Sequence, residues 1–266
     1  MANLLTSIRI FVGGAWLSYV ALFHWTRPAN YMASKIIMPL SQILFFTYLG
    51  MTATGRDSAT FYIVGNALQI AATNGIYGVT MTVGNERNGG TLIYLIGSPS
   101  NRLVIFLGRA LFNILDGMLA VVLGFVWGVV LLGLDLSAAN LPGLALTILI
   151  ATASTCGMGL LMGSISLVAL NVMFVNNTVY FLLLLLSGAN LPLDRLPVWV
   201  QTISGGLPLT RGIQSARLLV SGASLAEVWP LLAGELAVGL AYALFGFGFF
   251  SWFEAQARRR GTLEAF

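Results

Sequence analysis

LVIFLGRALFNILDGMLAVVLGFVWGVVLLGL, Leu103 to Leu134, carries only two ionisable side chains, Arg109 and Asp116, in a run otherwise almost wholly apolar. A hydrocarbon core of about 30 Å takes roughly 17 to 25 helical residues, so this run reads as a membrane helix with a stem extending beyond the lipid. Five further runs approach or reach that length: Ile36 to Ala53, Ala59 to Val83, Gly143 to Leu170, Val172 to Ala189 and Val228 to Phe253. Trp229 and Trp252 bracket the last at a spacing of about 34 Å, as aromatic anchors at opposite interfaces would. An all-α membrane protein with six transmembrane helices is the expected fold class.

Composition agrees. The chain has 266 residues, 58% hydrophobic and 8% charged, with a mean hydropathy of +0.88, outside the balance of soluble domains. Its thirteen Lys and Arg residues are spread along the chain, which argues against nucleic acid as a partner and for a basic cytoplasmic membrane face. One cysteine, Cys156, excludes an intramolecular disulfide. With one histidine, His24, and no cysteine cluster, a catalytic metal centre or a Cys/His nucleophile pair is not expected. Lys35 is the only lysine and follows Met-Ala-Ser, so no Gly-x-x-x-x-Gly-Lys-Ser/Thr phosphate loop exists. The chain is therefore not an ATPase by itself.

Six spans put both termini on one side. Arg9, Arg27, Lys35, Arg87, Arg102, Arg109 and Arg258 to Arg260 then fall on the cytoplasmic side, against Arg56, Arg195, Arg211 and Arg217 outside. Residues 1–30 read as an interfacial helix, since Leu5, Ile8, Val12, Ala15, Tyr19 and Leu22 recur at helical steps opposite Thr6, Arg9, Gly13 and His24. A seventh span is the alternative. No repeat or low-complexity linker divides residues 1–266, so one domain is expected.

Two connections carry more than length. In the cytoplasmic loop 84–102, Gly89-Gly90 permits a tight turn, Thr91 can cap a short helix, and Leu92, Leu95 and Ile96 form one apolar face before Gly97 and Pro99 end it. That helix either docks on a soluble partner or lies in the headgroups. Ser98-Pro99 then supplies a start for the third span, ahead of the membrane. The external segment 190–224 reads as two short helical stretches broken at Gly205-Gly206 and Pro208, the first carrying Leu196, Val200 and Ile203 at helical spacing.

Polar residues at membrane depth mark the candidate interior. Asn66, Gln69, Thr73 and Tyr77 fall on one face of span two, while Asn176, Asn177, Thr178 and Tyr180 interrupt span five. Lipid exposure would be costly, so they line a substrate path or bond between helices. Asp116 and Glu235 cost more, roughly 2.5 to 3.5 kcal/mol for an acid at mid-bilayer. Arg109, Asn113 and Asp116 share a face, which points to internal pairing for the aspartate. Gly124-x-x-x-Gly128 and Gly159-x-x-x-Gly163 allow close helix contacts.

The string Glu86-Arg87, Gly90-Thr91-Leu92, Leu95, Pro99, Arg102 and Gly108-Arg109 resembles the first cytoplasmic loop of ABC-2-type transporter permeases, in particular the drug-exporter branch. It departs from the family pattern at Asn88 and Ile93, where acidic residues are common. Leu191 to Leu219, with Pro192, Pro197, Trp199, Pro208 and Arg217, resembles the family's external segment. The resemblance implies a coupling helix formed by Glu86, Arg87, Gly90, Thr91, Leu92, Leu95 and Ile96, and an external re-entrant helical pair between spans five and six. It further implies a permease subunit of an ATP-driven exporter in a bacterial inner membrane, built from two permease halves, as a homodimer or a related heterodimer, and two copies of a separate ATP-binding subunit. ATP and Mg would be bound by that partner and not by this chain. The stretch around Arg27-Pro28 lacks the arginine-rich signature of polysaccharide exporters, which favours a hydrophobic or amphipathic drug, peptide or lipid over a polysaccharide or glycolipid. A third reading is an ion-coupled secondary transporter using Asp116 and Glu235.

Overall fold

The computed structural model describes residue 13 and residues 28–82, 102–166 and 171–260. Among the described residues there are helices and turns and no strands. Helix α1 runs Pro28–Thr54, and a 3-10 turn, Arg56–Ser58, leads into α2, Ala59–Ala72. Helix α2 widens into a π turn over Thr73–Gly78 and continues helically to residue 82. There follow α3 (Arg102–Leu132), α4 (Leu141–Ile165), α5 (Val172–Leu186), α6 (Val198–Gly205), α7 (Thr210–Val220) and α8 (Leu225–Arg260).

The six expected runs take different forms. Among the described residues, four helical stretches are long and apolar enough to cross a bilayer: Lys35–Thr54, Ala110–Leu132, Leu141–Ile165 and Leu225–Phe253. Ala59 to Val83 is split by the π turn, and the fifth run narrows to the 15 residues of α5, about 22 Å at 1.5 Å per residue. Helix α1 is already helical at Pro28, where the described residues resume, earlier than apolarity alone suggests, and it takes the last residues assigned to the interfacial helix. The rest of that helix apart from Gly13, the coupling segment Glu86 to Ile96 and the Ser98-Pro99 start lie outside the described residues.

Caps set several boundaries. The Asn140 side chain accepts from Gly143 N at 3.1 Å, with Pro142 in the first turn of α4; Asn171 does the same for Phe174 N at 3.0 Å at the start of α5. Ser224 and Glu227 form a reciprocal box at the start of α8.

Helix α2 lies at the centre: Tyr62 through Ala72 are all buried. Ile43 of α1, Val121 and Phe125 of α3, Ile148 of α4, Leu183 of α5 and Ile213 of α7 complete the core with it. Large apolar side chains on the periphery, Phe45, Leu115, Val130, Phe181 and Leu244 among them, are exposed, the outward surface that lipid requires. Trp229 and Trp252 are likewise exposed. Where helices meet most closely, glycine is the reason. A Cβ on Gly159 would fall 2.1 Å from the Gly75 carbonyl oxygen, and one on Gly157 would fall 2.3 Å from that of Gly239, so α4 touches the π turn and α8 backbone to backbone.

A candidate substrate pathway around a wide turn in the second span

The π turn reorganises the polar face expected on span two. An extra residue in one turn rotates everything after it, so residues spaced for a shared face at 3.6 per turn separate into two levels. Before the turn, Asn66 and Gln69 are fully buried. Within it, Thr73, Asn74 and Tyr77 approach α1 and α5.

The buried level is a set of bonds between helices. Asn66 Nδ2 donates to Asn190 Oδ1 at 2.8 Å, and Ser187 Oγ to Gln69 Oε1 at 3.2 Å. Arg217, on α7, donates from Nε and Nη2 to Phe61 O at 3.3 and 3.0 Å and from Nη2 to Ala189 O at 3.0 Å; its guanidinium carbon sits 3.4 Å from the Phe61 ring centroid. One side chain thus ties α7 to the start of α2 and to the turn after α5. Asn176 is also fully buried, with neither amide atom partnered among the described residues.

The second level is accessible. Tyr77 Oη donates to Asn177 Oδ1 at 2.6 Å, and Tyr180 Oη to Gln42 Oε1 at 3.1 Å. The two tyrosine rings meet edge to face, 6.0 Å between centroids. Beside them a cavity of about 110 Å³ opens between α1 and α2, lined by Lys35, Met38, Pro39, Gln42, Ile70, Thr73, Asn74 and Ala120. Lys35 points inward there, donating to Asn74 Oδ1 and pairing with Asp116 Oδ2. Charge counting placed this lysine on the cytoplasmic flank; the structure makes it the aspartate's counterion, with side chains only 14% and 10% exposed. Asn113, on the same face of α3, is buried as well.

The other buried acid has a different partner. Both Glu235 oxygens accept backbone N–H groups, from Leu209 at 2.7 Å and Gly212 at 3.1 Å. Leu209 is the N-cap of α7, in the left-handed region at φ 74°, and has no side-chain acceptor to offer. Glu235 supplies from α8 what a capping residue and its third-position glutamate supply within one helix. The segment expected to break at Gly205-Gly206 and Pro208 forms α6 and α7, with Trp199 exposed on α6 and Arg217 turned inward on α7. Pro192 precedes the 3-10 turn Leu193–Arg195, and Pro197 is the N-cap of α6.

Sequence reasoning passed over Gln42, Asn74, Ser187 and Asn190. The cost of a polar group at membrane depth, applied to span two, singles out Gln42 equally well. The pairing of Lys35 with Asp116 had no such signal, because the partners lie on different helices.

A sequence model of the ABC-2 type transporter family matches residues 16–220. Over 199 residues the chain is 29% identical to a protein of Escherichia coli K12 named "Probable multidrug ABC transporter permease YbhR", and equally to its counterpart in Escherichia coli O157:H7. Those alignments cover 70% of this chain and 52% of each relative, so the chain spans about half the length of the curated relatives it matches.

Proposed function

Because the chain belongs to the ABC-2 type transporter family, we propose that it is the permease of an exporter whose ATPase is a separate subunit. It moves a hydrophobic or amphipathic substrate outward across a bacterial cytoplasmic membrane. Two permease halves and two ATP-binding subunits make the working complex, with six spans per half, both termini cytoplasmic and 190–224 external. Residues 84–102, directly after α2, dock on the ATPase. The observation that carries this reading is the family match over 16–220; the E. coli relative's name supports a drug-like substrate over a glycan. The substrate path follows the accessible level, Thr73, Tyr77, Asn177 and Tyr180, while Asn66, Gln69 and Asn176 hold the wall behind it. An ion-coupled mechanism is disfavoured, because Asp116 is paired with Lys35 and Glu235 is engaged by two backbone amides.

The test is Leu95→Asp. If Leu92, Leu95 and Ile96 enter a groove on the ATPase, each contributes roughly 1.5 to 3 kcal/mol of burial, and an unpaired charge adds to the loss. Co-purification with the ATPase should fall sharply and substrate-stimulated ATP hydrolysis should vanish, with membrane insertion unchanged. Wild-type values for both would leave an interfacial helix in place of a docking one.

A further inference from the structure

The cavity between α1 and α2 holds an amide used only on one side. Gln42 Oε1 accepts from Tyr180, whereas Gln42 Nε2 is buried and has no partner among the described residues. The Tyr180 hydroxyl has Thr73 as a hydrogen-bond partner as well as Gln42; with the amide oriented as in the structure, Gln42 Oε1 accepts from it and an N–H donor is left over. An unmet buried donor is unfavourable, and an acceptor entering the cavity removes that penalty. The remaining lining fixes what kind of acceptor fits. Among the described lining residues Lys35 is the one charged side chain, and it is paired with Asp116, which disfavours an anionic head group. Met38, Ile70 and Ala120 are apolar, and about 110 Å³ accommodates a ring with its substituent and not a whole drug or lipid. Met38 is exposed at the rim, where the rest of a larger molecule can continue along the apolar outer surface.

We infer that this cavity is a subsite for an uncharged, ring-bearing amphiphile, with Gln42 donating its Nε2–H to a carbonyl oxygen of the ligand. The inference deepens the permease reading above and rests on it for its purpose, but its test needs neither ATPase nor nucleotide. A 4-alkylbenzophenone is both ligand and reporter, since its ketone is the acceptor and, under near-ultraviolet light, inserts into neighbouring C–H bonds such as those of a methionine side chain. The full chain in lipid nanodiscs should take label at Met38, mapped by peptide mass spectrometry. Excess benzophenone should suppress that label, and diphenylmethane, of the same shape without the oxygen, should not. Gln42→Leu should lower it by about tenfold, the factor that one lost hydrogen bond gives, with label at the exposed Met32 and Met173 unchanged as the control for folding and partitioning. Equal suppression by both competitors, or undiminished Met38 label in Gln42→Leu, overturns the role of Gln42. Label no greater at Met38 than at Met32 and Met173 overturns the site. If Gln42→Leu does not fold, the competitor pair on the wild-type chain decides alone. Intact Met38 label without nucleotide-dependent export would overturn the permease reading and keep the site.

Discussion

Removing the Glu235 carboxylate should loosen α7 in graded steps. Its two oxygens satisfy Leu209 N at 2.7 Å and Gly212 N at 3.1 Å, and the side chain is fully buried, so water cannot replace what is lost. Glu235→Gln keeps one acceptor but turns an NH2 group toward the second N–H, leaving a buried donor unmet at about 1–3 kcal/mol. Glu235→Leu leaves both unmet, and either neutral variant also loses the favourable placement of an acid at a helix N-terminus, a further ~0.3–1 kcal/mol or more when buried. The expected order is wild type, then Gln, then Leu, with the leucine variant roughly 2–7 kcal/mol down. Chemical unfolding of the purified chain in detergent micelles gives the comparison, read as shifts between variants. All three within 1 kcal/mol of one another, or Gln less stable than Leu, would refute the capping argument. Loss of transport in Glu235→Gln at unchanged stability would refute it too, by making the acid a proton-handling group.

Two further perturbations follow from the same geometry. Lys35→Met should destabilise by about 3–5 kcal/mol, because it removes the cation from a largely buried carboxylate. The double change Lys35→Met with Asp116→Leu should recover most of that loss in the same unfolding experiment; a double variant as poor as the sum of the two single changes would mean the pair is not coupled. Arg217→Met strips donors from Phe61 O and Ala189 O and should cost about 1–3 kcal/mol, and Arg217→Lys should restore only a minor part, since an ammonium cannot reach both carbonyls while stacking on Phe61. Full rescue by lysine would show that charge alone matters there.

What was legible in the sequence follows what kind of signal each feature emits. Apolar runs report burial in lipid, which is why the membrane fold is plain, but they report ends badly. Gly143 to Leu170 became Leu141–Ile165, where Asn140 and Pro142 mark the start more sharply than hydropathy does. The price of an acid in lipid pointed to internal engagement of Asp116, yet the partner is a lysine on another helix. For Glu235 even the partner's identity is invisible, because backbone N–H groups carry no residue type. The shared face assigned to Asn66, Gln69 and Tyr77 assumed an unbroken period of 3.6, and the π turn breaks it between the second and third of these. Local propensity gives little warning of such a turn, which is maintained by tertiary contacts on either side.

Those contacts decide whether the irregularity can travel. A π turn can in principle migrate along a helix by handing its hydrogen bonds from one residue to the next, which would rotate one end of α2 against the other. Here Thr155 of α4 donates to Ala71 O at 3.2 Å just before the turn, and Thr80 donates to Gly159 O at 3.2 Å just after it. Between these two bonds lies the contact of Gly75 with Gly159, too close to admit a single carbon. Migration in either direction would carry a side chain into that gap and break a threonine bond as well. The defect is therefore pinned in register, and any twist delivered to the end of α2 beyond the turn must pass to α4 as a movement of both helices together.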